Sequence, residues 1–433
     1  MAGGGSPTYP PPAKRQKKSS ATTAASLGDD VLLEIFMRLT SLATHVGAAH
    51  TCRAWRRAVA SSRDFRRRFR ETHPAPLLGL FFDPPGSVQD PALPVFPSFV
   101  PSRGSDRDQA AAVRGGDFFL ASLQECPGGL HGWDILDCRG GYILVGNSEK
   151  KTMAVLNPMA RRSERFLDLG HGHHEEDTLH GTRGFPLVSH DACHLCCSDS
   201  EVSLDARLLC SEEDPKSFRV VIVAHDKSSR VRATVFSSDT GEWSVHPWVD
   251  VPPIPLPERF KLWLLNSNMQ ANGMLCWAYN DLTHMLTLDT ATMEFSVAEL
   301  PQCVKARECS FVVGETVDGT PCVVYAMKFR VCLFLQTMDG DGVKKWVMDK
   351  ATSGGKHSEL KVVAVRDGFA YLATSVRYRF DTSLSWVLSL CLGTMQLEKL
   401  FQRPYECCVH PYVMAWPLSL VGNYGCFALE DGP

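Results

Sequence analysis

Val235-Phe236-Ser237-Ser238-Asp239-Thr240-Gly241-Glu242-Trp243 reads as a strand that runs into a tight Asp/Gly turn and returns on a bulky aromatic. Leu286-Thr287-Leu288-Asp289-Thr290-Ala291-Thr292-Met293-Glu294-Phe295 repeats that design about 50 residues later, and Val155-Leu156-Asn157-Pro158-Met159-Ala160 is a fainter copy. A second echo is a glycine that introduces an apolar or aromatic strand: Gly141-Tyr142-Ile143-Leu144, Gly273-Met274-Leu275-Cys276-Trp277 and Gly368-Phe369-Ala370-Tyr371-Leu372. The last two copies lie about 95 residues apart, close to twice the first period. A unit of about 50 residues is the length of a kelch-like blade, so the architecture expected is a β-propeller of about six to seven blades. Ordinary hairpins that share a spacing by accident are the alternative.

Outward from these repeats, the texture from about residue 75 onward is all-β, with no helical period. Strands are expected at Leu78–Phe82, Trp133–Cys138, Tyr142–Gly146, Met153–Leu156, Phe218–Ala224, Val231–Ser237 and Gly273–Tyr279. Further strands are expected at Met285–Asp289, Pro321–Met327, Val331–Gln336, Lys361–Val365, Phe369–Thr374 and Leu384–Leu390. Gly, Pro, Asn or Asp bounds each of them, as in a propeller or sandwich and unlike βαβ units. Trp243 and Trp277 fall where core aromatics belong.

The N-terminal part differs. Leu32, Ile35, Phe36 and Leu39 fall at i, i+3, i+4 and i+7, one stripe of a helix with Asp29 and Asp30 at its start and Arg38 near its end. Ser41 is a good cap for a second helix that turns Leu42, Val46 and Ala49 inward. A third carries Cys52, Trp55 and Val59 on one side and Arg53, Arg56 and Arg57 on the other. Three helices in about 35 residues make too small a core to stand alone, so part of the apolar stripe is expected to await a partner.

Residues 1–25 have almost no large apolar side chains and are expected to be disordered. Lys14, Arg15, Lys17 and Lys18 form a basic run that reads either as a nuclear import signal or as a solvated tail. The expected division is therefore a tail over 1–25, a helical module over 26–72 and a β domain over 76–430.

The 433 residues are 44% hydrophobic and 21% charged, which excludes a collagen, a coiled coil and wholesale disorder. No apolar run approaches the roughly 18 residues of a membrane span, and no secretory signal is recognisable, so no membrane partner is expected. Sixteen scattered cysteines then read as reduced thiols, and the place of work is the nucleus and/or cytoplasm. Through residue 75 there are 13 Lys/Arg against 5 Asp/Glu, a basic head on an acidic body.

Leu27-Gly28-Asp29-Asp30-Val31-Leu32-Leu33-Glu34-Ile35-Phe36-Met37-Arg38-Leu39, followed by Thr51-Cys52-Arg53-Ala54-Trp55-Arg56-Arg57-Ala58-Val59, resembles the F-box. The family opens Leu-Pro-x-Asp/Glu and closes Cys-Arg-x-Trp-Arg; here Gly28 stands where Pro is usual, and His50 is polar where the family is aliphatic or small. The remainder is similar to the plant, especially grass, F-box proteins with an associated β domain, as in His73-Pro74-Ala75-Pro76-Leu77-Leu78-Gly79 and the proline-rich stretch ending near Phe96–Pro101. The fold class implied is a multidomain α+β chain, a small three-helix F-box ahead of a large β-propeller.

The resemblance implies a non-catalytic substrate receptor of a cullin-RING ubiquitin ligase of the SCF type, without cofactors. The helical module would dock a Skp-family adaptor through Leu27, Gly28, Val31, Leu32, Ile35, Leu39 and Trp55, and the β domain would hold an unknown target protein. Internal packing is the competing role for each of these side chains.

Other clusters carry less. His171, His173, His174, His180, His190 and His194 surround Cys193-x-x-Cys196, with Cys197 and Cys210 nearby. No second pair at finger spacing completes a zinc site, so a loop between blades is preferred, with Cys193 and Cys196 kept as zinc candidates and no metal expected. Asp339-Gly340-Asp341-Gly342 resembles the start of a calcium loop, but Val343 and Lys344 do not continue it, and a hairpin turn explains it. The run Arg53, Arg56, Arg57, Arg63, Arg66, Arg67, Arg68, Arg70 could lie along phosphates, but Trp55, Phe65 and Phe69 fall at packing positions, which argues against nucleic acid. The rival functions are a carbohydrate- or ligand-binding propeller, an enzyme at the central channel, and a nucleic-acid-binding nuclear protein.

Overall fold

The computed structural model describes residues 27–83, 97–102, 107–124, 132–147, 152–168, 202–252, 264–305, 309–354, 359–375, 386–402 and 408–420, apart from 50, 52, 74, 161, 212, 213, 215, 227–229, 280, 281, 418 and 419. No helix among the described residues is long and apolar enough to cross a membrane.

Four helices open the described residues: α1 (Asp29–Met37), α2 (Leu42–Ala49), α3 (Arg53–Ser61) and α4 (Arg63–Thr72). Ser41 caps α2, its Oγ accepting the Thr44 amide at 3.2 Å. The expected count of three helices is corrected by Ser62. Its extended backbone breaks the Arg-rich run, and its Oγ accepts the Phe65 amide at 3.1 Å, starting α4. Leu32, Phe36, Val59, Phe65 and Phe69 are all buried in the head.

After the head come β1 (Leu77–Phe82) and β2 (Ser98–Pro101), then two short helices, α5 (Arg107–Gly115) and α6 (Ala121–Gln124). These helices correct the expectation that helix ends near residue 75. Ala110-Ala111-Ala112 favours α5 through propensity, which leaves no apolar period to read.

Four-stranded blades and one of five then follow in chain order. The first holds β3 (Trp133–Arg139), β4 (Tyr142–Asn147), β5 (Thr152–Asn157) and β6 (Arg162–Asp168). Next come β7 (Val202–Cys210), β8 (Phe218–Asp226), β9 (Arg230–Ser237) and β10 (Trp243–Val245), with β11 (Val249–Asp250) also on β9. The third holds β12 (Leu264–Ala271), β13 (Met274–Tyr279), β14 (His284–Asp289) and β15 (Phe295–Glu299). The fourth holds β16 (Cys309–Glu315), β17 (Pro321–Met327), β18 (Arg330–Met338) and β19 (Lys344–Ser353). The fifth holds β20 (Glu359–Arg366), β21 (Phe369–Ser375), β22 (Trp386–Cys391) and β23 (Leu397–Gln402). The sixth blade is composite: the last strand, β24 (Val409–Val413), pairs with β1, and β1 with β2. Phe81 faces His410 across that seam, so the two ends of the β region close the ring. The fold is a six-bladed propeller behind a helical head.

The repeats noticed in the sequence are two kinds of turn. Gly140-Gly141, Asn272-Gly273 and Asp367-Gly368 each place both residues at positive φ (58° and 80°, 47° and 72°, 49° and 77°), the mirror-image turn that suits strand twist, between the first and second strand of a blade. The outer hairpin recurs three times with one hydrogen-bond pattern: Gly241 N to Ser237 O, Met293 N to Asp289 O and Met395 N to Cys391 O, at 2.8, 2.8 and 2.7 Å. The copy suspected at Asn157 is instead a short 3-10 turn over Pro158–Ala160.

First strands line the axis: β12 packs on β16, β16 on β20, β3 on β7, and β24 on β3. They approach so closely that a Cβ added at Gly314 on β16 would lie 2.5 Å from Val365 Cβ on β20.

Candidate functional site

The face that α1 presents is set by its phase. Leu32 and Phe36 turn into the head and are 1% and 0% exposed, whereas Val31 and Ile35, one turn apart, are 50% and 39% exposed. Exposed Gly28 precedes them, and Leu27, Leu39 and Trp55 are half-buried. Trp55 stands edge-on to Phe36 with ring centroids 5.4 Å apart. The expected docking set therefore divides. Leu32 belongs to the chain's own core, a correction that follows from its place beside Phe36 on the inner stripe. Val31, Ile35 and Gly28 remain open on one side of α1.

Gly28 has φ −66°, the value that a proline ring would fix, with an extended ψ of 155°, and a Cβ there would meet nothing within 4 Å. The entry into α1 is thus compatible with a proline at this position.

The head rests on the propeller through an aromatic junction centred on His45. The imidazole is wholly buried and stacks on Phe65 at 5.2 Å, with Phe36 at 4.7 Å, Phe69 at 4.9 Å and Trp416 at 5.4 Å. Neither ring nitrogen has a hydrogen-bond partner among the described residues. Burial first, and the charge of His73 second, bring its pKa down to about 4. Trp416 comes from beyond β24, so the head's core includes the far end of the described chain.

At the axial mouth on the head's side, the first strands end in charged side chains. Asp137 on β3 is 1% exposed; it accepts the Leu208 amide at 3.0 Å and pairs with Arg366 on β20 at 3.6 Å. Burial pushes this carboxyl up, but Arg366, Arg139 and Arg207 together hold it below the usual carboxylate value. Behind it Arg207 pairs with Asp205 at 2.7 Å, and Trp277 Nε1 donates to Asp205 at 2.5 Å. Trp277 is core, as expected, while Trp243 is only half-buried. Sequence reading missed this ionic ring, although Arg139-Gly140-Gly141 and Arg366-Asp367-Gly368 share an arginine directly before the turn.

Lys14, Arg15, Lys17, Lys18, Cys193 and Cys196 lie outside the described residues, as does His50. No described group of three His, Cys, Asp or Glu could hold a metal ion. Asp339 is committed to its turn, Oδ1 accepting the amides of Asp341 and Val343 at 3.0 and 2.9 Å, while Lys345 holds Oδ2 at 2.6 Å.

A four-helix head with an open α1 face, seated on six blades, defines an F-box protein with a propeller body. Residues 25–71 match the F-box-like family, and residues 134–419 match the family described as F-box protein AT5G49610-like, beta-propeller. The chain belongs to that F-box propeller family. No curated protein matches it significantly.

Among solved structures it is similar to a protein of unknown function from Bacteroides caccae (8% identity, TM-score 0.38, 78% of this chain and 99% of that one). It is also similar to a putative 6-phosphogluconolactonase from Bacteroides fragilis (12%, 0.35, 77% and 97%). A third is the beta-propeller domain of Cps50 (Swd1) from Myceliophteria thermophila (9%, 0.34, 64% and 88%). Such distant likenesses carry no functional argument.

Proposed function

We propose that this chain is a substrate receptor of an SCF-type cullin-RING ubiquitin ligase. The head docks a Skp-family adaptor and the propeller holds a target protein. The observation that carries the reading is the pair Val31 and Ile35, exposed at 50% and 39% on a helix whose other apolar residues are buried (Leu32, Phe36) or half-buried (Leu33, Met37), within the segment that matches the F-box-like family. F-box modules generally bind such adaptors. The chain performs no bond chemistry in this role; it raises the local concentration of its target near a charged conjugating enzyme. It works in the nucleus and/or cytoplasm, a placement supported by the basic run Lys14, Arg15, Lys17 and Lys18.

Co-purification with a plant Skp adaptor tests this. The wild type is expected to retain the adaptor, and Val31→Asp/Ile35→Asp to lose it while melting at nearly the wild-type temperature. Leu32→Asp is the contrast, because it buries a charge in the head and should lower the melting temperature itself. A wild type that retains no adaptor, or a double variant that retains it equally, ends the reading.

A further inference from the structure

The axial mouth beneath the head is a cavity of about 560 Å³, the size of a small-molecule site. Four arginines on its wall come from four separate elements: Arg70 of α4, Arg139 of β3, Arg219 of β8 and Arg366 of β20. Two carboxylates, Glu315 and Asp367, share the wall, and Glu315 is engaged by the Asn272 amide at 2.8 Å. Positive charge is therefore in excess at a place from which the head and the blades partly exclude water.

Two of these arginines, Arg139 and Arg366, are not fully used. Arg366 is 8% exposed; its Nη1 donates to the Val365 carbonyl and its Nη2 faces Asp137, but its Nε has no hydrogen-bond partner among the described residues. Arg139 Nε and Nη2 are buried and equally without such a partner. Burial, and then the like charge of Arg139, bring Arg366 down to about 10 against the opposing pull of Asp137 and Asp367. Gln270 lines the same wall, and its Oε1 is buried without a hydrogen-bond partner among the described residues.

We propose that the axial mouth binds a compact phosphate ester, held between Arg139 and Arg219 of the propeller and Arg70 of the head. Guanidinium forks pair with phosphate oxygens through charge-assisted bonds, and several forks around one cavity select a multiply charged anion. The free small molecule is preferred to a phosphorylated side chain of a target. Arg70 and Trp416, whose ring lies 5.9 Å from the Arg70 guanidinium, stand at the mouth, where a folded partner would have to reach past the head. Because its contacts come from both parts of the chain, the ligand would fix the head on its seat. This goes beyond the receptor reading and does not depend on it.

The test is calorimetric titration of the full chain with pyrophosphate at low salt, with sodium chloride at matched ionic strength as reference. The wild type is expected to bind saturably. Arg139→Gln and Arg70→Gln are each expected to bind about tenfold more weakly, the loss of one charged hydrogen-bonding partner. Lys344→Gln, the same charge change on outer strand β19, should bind as the wild type does. Arg70→Gln keeps the test informative if Arg139→Gln fails to fold. Three results overturn the proposal: no saturable binding by the wild type, an equal loss in Lys344→Gln, or a phosphoserine peptide that binds more tightly than pyrophosphate.

Discussion

His410 Nε2 lies 2.9 Å from Asp83 Oδ2, a contact that spans 327 residues and ties the end of β1 to the start of β24. The other oxygen of Asp83 accepts the Ile135 amide of β3 at 3.1 Å, so one carboxylate fastens the closing blade and the blade beside it. Asp83→Ala leaves both donors without their acceptor and is expected to cost about 2 kcal/mol. Urea unfolding followed by tryptophan fluorescence measures this. An unchanged midpoint would mean that the β1–β24 ladder alone closes the ring.

Asp134 sits at the same seam. Burial first, and the Asp83 charge second, raise its pKa to about 6 against the pull of His410, compared with 3.8 in the unfolded chain. The folded state therefore holds the extra proton between those values. The stabilising contribution is complete below pH 3.8 and disappears as pH rises through 6. Asp134→Asn should match the wild type near pH 4 and exceed it near pH 7.5 by about 1–2 kcal/mol, allowing for partial access of solvent. Equal unfolding midpoints at both pH values would remove Asp134 from the seam's pH dependence.

His45 has the opposite sign. It is held neutral, titrating at about 4 in the fold and 6.5 when free, so the unfolded chain binds the additional proton in that window. Stability is complete above 6.5 and is lost as pH falls through 4. His45→Phe keeps the aromatic stack without two unpartnered nitrogens and should add about 1–2 kcal/mol at pH 7. Its melting temperature should also fall less than that of the wild type between pH 7 and pH 5. A less stable variant would show that the larger ring does not fit among Phe36, Phe65 and Trp416.

Gly28→Pro tests the entrance to α1. The position already has φ −66°, so proline restricts the unfolded chain without strain in the fold and should add about 0.5 kcal/mol. Scanning calorimetry reads the shift, and a lower melting temperature would show that the Gly28 amide or Leu27 resists the ring.

How much could be read from the sequence follows where each strand sits in its blade. β4, β14 and β17 lie between neighbouring blades and are buried along most or all of their length, and their apolar runs are visible in the sequence. Outer strands β15 and β19 are mostly exposed, and their polar residues resemble loop; β15 was expected only as the return at Phe295, and β19 not at all. The positive-φ turns left a glycine signature because few other residues tolerate that backbone. The α1 stripe was legible as a period, but Ile35 lies at the stripe's edge, where only packing decides whether a side chain is core or surface. His45 left no signal at all. Its neighbours arrive from α4 and from Trp416, which no local pattern connects to it.

The Trp416 contact sets an order of events during synthesis. An emerging polypeptide can form its first helices early, yet the indole that completes their interior is translated only after β24. A truncated product would leave the ribosome with both an unzipped ring and an unfinished N-terminal module.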